Sequence, residues 1–445
     1  MKCSKFMQVI KINKDVYAVF NNLLLQPIFL NKKNIINLKL KRFSKFNKNE
    51  FKILKQNGII VKDDYADIKA LKKIKTTINS NIKNKITLMY IIPNNNCNLM
   101  CKYCFIGKLN NKNPKKMSSD TMKNAVDKFA SHLKEIKAEK GEIVFYGGEP
   151  LISFDLIKEC VEYSKTKKYN FKYSIVSNAT LITEEIADYI RDNNIGIGIS
   201  IDGPKEVTDK NRIFEKDLAS VYDIVIKKIE LLKSRKVDFG LSITIAEEFL
   251  DSQDQFIEWL KKLDIKGISY NLLHYTSKTK GWKKYYKRAT KFLIKSNNEL
   301  YNLGFREDRI KRKYYAFYER DFKYSDCGAR GGNQISVKPN GDITICHGYW
   351  NTPENEIGNI NKINISDVFK KDNYKKWYIN TPINNDICQK CDALFLCGGG
   401  CAMQSKALFG DEMKIDKAFC IHSKIVLKFL LTELYYEEIS KIAKN

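Results

Sequence analysis

An alternation of apolar strands and amphipathic helices begins at Ile86 and limits the chain to a few folds. The strand segments read TLMYIIP, EIVFYGG, FKYSIVSN, IGIGISIDG, VDFGLSITI and GISYNLL. Helical periodicity fills the intervals, near residues 119–139, 154–167, 183–193, 218–235 and 251–263. Strands that are each separated by a helix predict parallel pairing with crossover helices, and therefore an α/β sheet or an open barrel. Composition does not decide between these two architectures.

Three cysteines follow the first predicted strand: Cys97, Cys101 and Cys104, in the segment IIPNNNCNLMCKYCFIG. Four thiolates complete an ordinary iron–sulfur cluster site. Three thiolates at this spacing can hold a cubane cluster and leave one iron atom open to an exogenous ligand. The alternative is a zinc knuckle or three unrelated thiols, because short cysteine spacings also suit zinc.

Seven further cysteines are concentrated towards the C-terminus: Cys327, Cys346, Cys388, Cys391, Cys397, Cys401 and Cys420. Between ISVK and DITIC, the segment Pro339-Asn340-Gly341 predicts a hairpin turn that brings the first two of these thiols together. A zinc ribbon would use four ligands and leave the other thiols without a task. The pattern therefore favours more than one metal centre.

Glycine and polar residues lie at the carboxyl ends of the other predicted strands. Tyr146-Gly147-Gly148-Glu149-Pro150 follows EIVF, Asn178 follows FKYSIV, Ser200 and Asp202 follow IGIGI, and Arg212 lies downstream. The glycines allow the backbone to approach a ligand closely, and carbonyls together with the Glu149 carboxylate can accept hydrogen bonds from an ammonium group. Taken singly, these are also ordinary turn, cap and surface residues.

Together these motifs resemble those of the radical SAM enzymes, whose Cys-x3-Cys-x2-Cys motif has an aromatic residue before the last cysteine, here Tyr103. The resemblance implies a partial (β/α)6 TIM-like barrel in which S-adenosylmethionine (SAM) chelates the open iron of the cluster. It assigns the amino group of SAM to Gly148 and Glu149. The remaining cofactor contacts would come from Tyr103, Asn178, Ser200, Asp202 and Arg212.

The second cysteine set resembles the SPASM domain, which holds auxiliary iron–sulfur clusters, so the resemblance implies three 4Fe–4S clusters in total. One auxiliary cluster would take Cys388, Cys391, Cys397 and Cys420 and would carry electrons. The other would take only Cys327, Cys346 and Cys401, because relatives with a complete second cluster have a further cysteine where this chain reads RDFKYSD. We expect an open coordination site there, which a substrate thiolate, water, Cys160, Cys3 or a small molecule could fill.

The chain divides into three predicted regions: an α+β module over residues 1–80, the barrel over 81–310, and the SPASM domain with a final helix near 422–443 over 311–445. The module is predicted from short strand segments, VIKI, VYAVF, PIFL and INLKL, and from a helix that ends at Gly58, followed by a helical connector over 67–85. It resembles the winged-helix, PqqD-like element of peptide maturases, whose edge strand pairs with a leader peptide. Simple scaffolding is the alternative.

Composition excludes several other classes. The net charge of +27 would suit a polyanion, but lysine is spread over ordinary helix surfaces such as residues 227–236, so we expect no nucleic-acid partner. We find no signal peptide and no apolar run that could span a membrane, and twelve cysteines in such a chain predict a reduced, cytoplasmic compartment and no membrane partner.

The resemblance implies a peptide maturase that cleaves SAM reductively to a 5′-deoxyadenosyl radical and abstracts a hydrogen atom from a precursor peptide. The expected product is a thioether from cysteine to carbon, with C–C or C–O crosslinking as the nearest alternative and flavodoxin or ferredoxin as the electron donor. Formylglycine formation in a sulfatase is a further alternative. It is disfavoured by His347, because sulfatase maturases carry a proposed aspartate base there. A non-catalytic cluster protein would have no use for the SAM motifs.

Overall fold

The computed structural model describes residues 1–82, 85–104, 114–216, 218–349 and 353–442. Residues 83 and 84, near the end of the predicted connector over 67–85, and the predicted last residue of the final helix, Ala443, lie outside these ranges.

The N-terminal region is an α+β module, as predicted. Its strands are β1 (Lys2–Cys3), β2 (Met7–Lys11), β3 (Val16–Asn21), β4 (Ile28–Asn31) and β5 (Ile60–Val61), and its helices are α1 (Lys32–Lys39), α2 (Lys48–Gln56) and α3 (Asp64–Ile82), with a 3-10 turn at Phe43–Lys45. Strands β2, β3 and β4 form an antiparallel sheet, and β1 pairs with β5.

The prediction of a strand for INLKL is wrong, because this segment belongs to α1. Asn31 caps the helix by accepting a hydrogen bond from the backbone N–H of Asn34 at 2.9 Å. Ile35 and Leu38, one helical turn apart, are buried on the same side of α1. The helical spacing of apolar residues therefore outweighs the short alternation.

The sheet β2–β3–β4 is buried on both faces. Val19 on one face packs in a core with Leu38 and Leu54 of α1 and α2. Ala18 and Phe20, on the other face, belong to the main core of the molecule. The alternation of side chains along β3 therefore attaches the module to the rest of the chain.

The six predicted strands of the barrel are confirmed, and they are parallel and adjacent in chain order. They are β6 (Leu88–Ile91), β7 (Gly141–Phe145), β8 (Phe171–Ser177), β9 (Gly196–Ser200), β10 (Phe239–Ile245) and β11 (Gly267–Leu272). The helices between them are α4 (Ser119–Glu135), α5 (Phe154–Lys165), α6 (Glu184–Asp192), α7 (Lys205–Asn211), α8 (Val221–Ser234) and α9 (Gln253–Leu263), with 3-10 turns at Pro150–Ser153 and Glu247–Asp251. Hydroxyl caps begin several of these helices, for example Ser118, Thr183 and Ser220.

The remaining elements extend this sheet at both edges and add the helices of the C-terminal region. Helix α10 (Trp282–Tyr301) leads to β12 (Arg306–Glu307), which pairs with β11, and to α11 (Asp308–Tyr318). The C-terminal region contains α12 (Gly328–Gly331), β13 (Gln334–Val337), β14 (Asp342–Thr344), β15 (Glu356–Asn359), α13 (Ile365–Val368), α14 (Asp372–Ile379), α15 (Asp386–Gln389), α16 (Leu394–Cys397), α17 (Ala402–Phe409) and α18 (Lys417–Ile442), with 3-10 turns at Pro353–Asn355 and Pro382–Asn384.

The predicted hairpin at Gly341 is confirmed between β13 and β14, and β13 also pairs in parallel with β6. The result is an open sheet of ten strands, with order β12–β11–β10–β9–β8–β7–β6–β13–β14–β15. Because β13 is a direct neighbour of β6, the C-terminal cysteine region begins beside the loop that carries the first cysteines. Within the described ranges, no helix has the length and apolarity needed to cross a membrane.

Candidate active site

The loop after β6 places Cys97 and Cys101 half-buried and Cys104 exposed, at the carboxyl end of the parallel strands. A neighbouring segment that includes Arg212 fixes the loop through its backbone. The N–H of Met100 donates to the carbonyl of Ile213 at 2.7 Å, and that of Lys102 donates to Asn211 at 2.9 Å. The spacing of the thiols is therefore set by backbone pairing.

The glycine motif after β7 packs against the residue that precedes Cys97. The backbone N–H of Glu149 donates to the carbonyl of Asn96 at 2.7 Å. A Cβ atom on Gly148 would lie 2.0 Å from that same carbonyl oxygen, and Gly147 has a φ of +148°. Only glycine allows this approach, so the predicted motif is joined to the cysteine loop.

Glu149 is buried, and its carboxylate oxygens accept hydrogen bonds from groups of the protein itself. Its carboxylate accepts hydrogen bonds from the N–H of Leu151 at 3.0 Å, from the hydroxyl of Ser177 at 2.7 Å and from the N–H of Asn178 at 2.7 Å. Burial raises the pKa of Glu149 to about 7, and these hydrogen bonds oppose the shift. The carboxylate thus connects the ends of β7 and β8, and its predicted contact with SAM stays a prediction.

Asn178 lies beside the first cysteine. Its side-chain amide nitrogen is 4.0 Å from the sulfur of Cys97 and donates to the side-chain oxygen of Asn98 at 2.8 Å. Thr180 donates to the Asn178 oxygen at 2.7 Å and accepts from Asn98 at 2.8 Å. The sequence assigned no role to Asn98, which lies within the cysteine motif, or to Thr180, which lies two residues after Asn178.

Asp202 and Arg212 form a buried ion pair under Cys101. The guanidinium donates to both carboxylate oxygens, at 3.0 and 3.1 Å, and its third nitrogen is 3.9 Å from the sulfur of Cys101. Tyr103 also donates to Asp202, and Thr244 donates through its backbone N–H at 3.2 Å. Ser200 ends β9 and is half-buried. The structure therefore brings Tyr103, Asn178, Asp202 and Arg212 together beside the thiols, whereas Ser200 shares with them only its position at a strand end.

The donor set at this site fits an iron–sulfur cluster. Burial raises the pKa of Cys97 to about 12 and that of Cys101 to about 11, and the neighbouring thiols add to both shifts. Thiolates this close together need a compensating cation, which a cluster supplies. Among the described residues, no group of His, Cys, Asp or Glu side chains converges closely enough for a single metal ion.

The C-terminal cysteines fall into two groups. Burial raises the pKa of Cys420, and the thiols of Cys397, Cys391 and Cys388 raise it further. Burial likewise raises the pKa of Cys346, with additional contributions from Cys401 and Cys327. These are the two ligand sets that the SPASM resemblance implies. Cys160, in contrast, is fully buried in the core on α5.

An aromatic stack lies between the two cysteine regions. The ring of His347 is 4.4 Å from that of Tyr90 and 4.5 Å from that of Tyr146, between centroids. Burial raises the pKa of Tyr146, and the thiols of both Cys104 and Cys346 raise it further, so this ring is within reach of both regions. Tyr90 was missed because its position on β6 has only an ordinary strand signal.

Comparison with known proteins identifies two family profiles in the chain. The profile of the radical SAM superfamily matches residues 91–260, and that of the SPASM iron–sulfur cluster-binding domain matches residues 327–392. Both ranges contain cysteines that the structure groups together.

The matches to three relatives each cover most of the relative's own length. An uncharacterised protein of Methanocaldococcus jannaschii is 33% identical over 64% of this chain and 93% of its own. The radical SAM cyclopropyl synthase TigE of Paramaledivibacter caminithermalis is 22% identical over 95% of this chain and 90% of its own. A cysteine-type anaerobic sulfatase-maturating enzyme of Clostridium novyi is 25% identical over 78% of this chain and 96% of its own.

Two solved structures share the fold. The structure of anSMEcpe with bound AdoMet has a TM-score of 0.68 at 22% identity, and the match covers 78% of this chain and 98% of that one. Streptococcus suis SuiB, bound to its precursor peptide SuiA, has a TM-score of 0.56 at 15% identity, and the match covers 94% of this chain and 99% of that one.

Proposed function

Since this chain belongs to the radical SAM superfamily and carries a SPASM iron–sulfur domain, we propose that it matures a ribosomally made precursor peptide by installing an oxidative crosslink. It is an enzyme of a group that includes both peptide-modifying and sulfatase-maturating members.

We choose a peptide substrate because of how much of this chain each group of relatives matches. TigE and SuiB match 95% and 94% of this chain, which includes most of the N-terminal module. The matches to a sulfatase-maturating enzyme and to the anSMEcpe structure each cover 78% of this chain. A module shared with peptide-modifying relatives has the chemistry to bind a peptide, because β2 and β4 are edge strands whose backbone can pair with an added strand.

SAM and iron–sulfur clusters are the cofactors of this family, and we assign three 4Fe–4S clusters to the three cysteine groups. When bound, SAM and its cluster supply a 5′-deoxyadenosyl radical that removes a hydrogen atom from the substrate. Cys97, Cys101 and Cys104 would hold that cluster. Gly148 offers backbone to the SAM amino group, while Asp202 holds the Arg212 guanidinium beside the thiols.

A thioether from cysteine to carbon is the product that we propose. Its formation removes one hydrogen atom from carbon and one proton from a thiol, and leaves one electron for an auxiliary cluster to carry away. The exposure of one thiol in the group of Cys327, Cys346 and Cys401 supports this choice. Cys327 is exposed and lines a cavity of about 250 Å³ together with Arg312 and Lys323. A ligand from outside the protein could reach Cys327 there.

Formation of a C–C bond is the second candidate, and the match to a cyclopropyl synthase over nearly the whole chain favours it. Formylglycine formation is less well supported. The resemblance to sulfatase maturases implies an aspartate base at the position of His347, and burial lowers the pKa of His347 to about 4.

Coexpression with a short cysteine-containing peptide encoded beside this gene tests the proposal. We expect the peptide to lose two hydrogen atoms for each crosslink and to lose one alkylatable thiol, and a precursor with that cysteine replaced by alanine should stay unmodified. Loss of hydrogen with every thiol retained would favour the C–C candidate. Conversion of a neighbouring sulfatase, with the peptide unchanged, would contradict peptide maturation. Flavodoxin with its reductase would serve as the electron donor.

A further inference from the structure

The N-terminal module and the C-terminal segment around α15, which carries Cys388, share a hydrophobic cluster. The module contributes Phe6, Leu23 and Ile78, and the C-terminal region contributes Ile383 and Leu394, all between 1% and 4% exposed. The side chain of Cys388 packs against this cluster. Apolar side chains of the first region therefore exclude water from one side of a thiol in the last region.

Asn22 joins the same two regions through a polar contact. Its side chain is fully buried, and its amide nitrogen donates a hydrogen bond to the carbonyl of Cys391. Its backbone N–H donates to the carbonyl of Phe6 at 2.9 Å. A buried amide is costly unless it is bonded, and the Asn22 side-chain oxygen has no hydrogen-bond partner among the described residues. The bond to Cys391 is therefore the polar contact that holds the Asn22 side chain at this position.

This arrangement reaches the peptide-binding module directly. Strand β3 ends at Asn21, and Asn22 is the next residue. The side-chain amide of Asn21 donates a hydrogen bond to the carbonyl of Gly58 at 2.8 Å, which fixes the end of the strand. The central strand of the module is thus continuous with the residue that contacts Cys391.

We propose that the N-terminal module forms one wall of the auxiliary cluster site of Cys388, Cys391, Cys397 and Cys420, with Asn22 as the positioning residue for Cys391. This inference rests on the proposed function, which places a cluster there. Hydrogen bonds near the ligands and exclusion of water set both the reduction potential of such a cluster and its resistance to iron loss. The module therefore tunes the cluster in addition to binding the peptide.

The test is an EPR-monitored redox titration of the anaerobically reconstituted full chain, compared with its Asn22→Ala variant. We expect the midpoint potential of one auxiliary cluster to shift and its iron to pass to a chelator several-fold faster. The signal of the SAM-binding cluster should stay unchanged, which also shows that the variant is folded. Leu23→Ala, which opens the apolar wall without touching the hydrogen bond, should shift the same cluster.

Asn37→Ala is the matched control, because Asn37 is also buried but lies in α1 on the other side of the sheet β2–β3–β4. It should leave all potentials at their wild-type values. Wild-type potentials and iron release in both Asn22→Ala and Leu23→Ala would overturn the inference. Failure of the proposed function would be recognised separately, as a wild-type protein that holds no auxiliary clusters.

Discussion

Buried carboxylates hold the mouth of the barrel together from within. Glu149 connects β7 to β8, and Asp202 holds Arg212 and Tyr103 under the cysteine loop. The sequence identified both residues by their place at strand ends. It could not show that their oxygens are already occupied by protein donors, because most of those donors come from other strands and loops, such as Ser177 for Glu149 and Tyr103 for Asp202.

At the scale of single residues, Asp202→Asn should destabilise the protein strongly. The substitution leaves the Arg212 guanidinium buried without its counter-charge, which costs about 3 kcal/mol. We expect a loss of that size in the apparent free energy of unfolding by urea. The exposed pair of Asp254 with Lys295 is the control, and Asp254→Asn should leave the free energy of unfolding close to that of the wild type. Equal effects of the two substitutions would contradict the assignment.

Glu307 makes the stability of the fold depend on pH. It caps α11 by accepting hydrogen bonds from the N–H groups of Arg309, Ile310 and Lys311, and burial raises its pKa from 4.5 to about 7. Between those values the unfolded chain releases a proton that the folded chain keeps, so the contribution of Glu307 to stability falls as pH rises and levels off above about pH 7.

Glu307→Gln keeps an oxygen for the cap and removes this titration. The unfolding free energy of the variant relative to that of wild type should therefore rise between pH 4.5 and about 7, by up to roughly 3 kcal/mol. Urea denaturation at a series of pH values measures the difference. A difference that does not change with pH would show that Glu307 has an ordinary pKa.

At the scale of elements, the alternation from Ile86 onwards predicted all six parallel strands, because each buried strand is a short apolar run between amphipathic helices. The two-residue strand β12 and the parallel pairing of β13 with β6 were not predicted. Both depend on contacts between segments that are distant in the sequence. In addition, a strand of two residues is too short to show an alternating pattern of apolar residues. The helix α1 was misread for a related reason, since INLKL fits either period.

Gly148→Ala should separate the glycine motif from the cysteine loop. The added Cβ would lie 2.0 Å from the carbonyl oxygen of Asn96, so the backbone before Cys97 must move. Overpacking of this kind costs about 1–3 kcal/mol, and we expect formation of 5′-deoxyadenosine to fall roughly tenfold or more. Gly196→Ala is the control, because its Cβ would find its nearest neighbour at 3.7 Å. Similar activity in the two variants would contradict this close packing.

At the scale of the whole molecule, three regions that are distant in sequence meet around the same sheet. The C-terminal hairpin extends the sheet beside β6, and the N-terminal module packs against the segment around α15, which carries Cys388. The resemblance to the SPASM domain implied the two C-terminal cysteine groups. It did not predict that the first and last regions share a hydrophobic core, because nothing in a single sequence pairs Phe6 with Ile383.

Removal of the fully ligated auxiliary site should separate the two halves of the reaction. In the double variant Cys388→Ala and Cys391→Ala, the loop of Cys97 is untouched, so SAM cleavage should persist in part. The crosslinked peptide should be lost, because the electron left after crosslinking has no carrier. Quantifying 5′-deoxyadenosine and modified peptide in one reaction checks this. Wild-type yields of crosslinked product would show that the site is not needed.

EPR spectroscopy of the reduced, anaerobically reconstituted chain, with and without SAM, tests the central claim directly. The account predicts a cluster signal that changes when SAM is added, followed by release of 5′-deoxyadenosine. The variant with Cys97, Cys101 and Cys104 all replaced by alanine should show neither, while it retains the iron of its C-terminal cysteines. An iron-loaded wild-type protein whose spectrum ignores SAM and that releases no nucleoside would contradict the account.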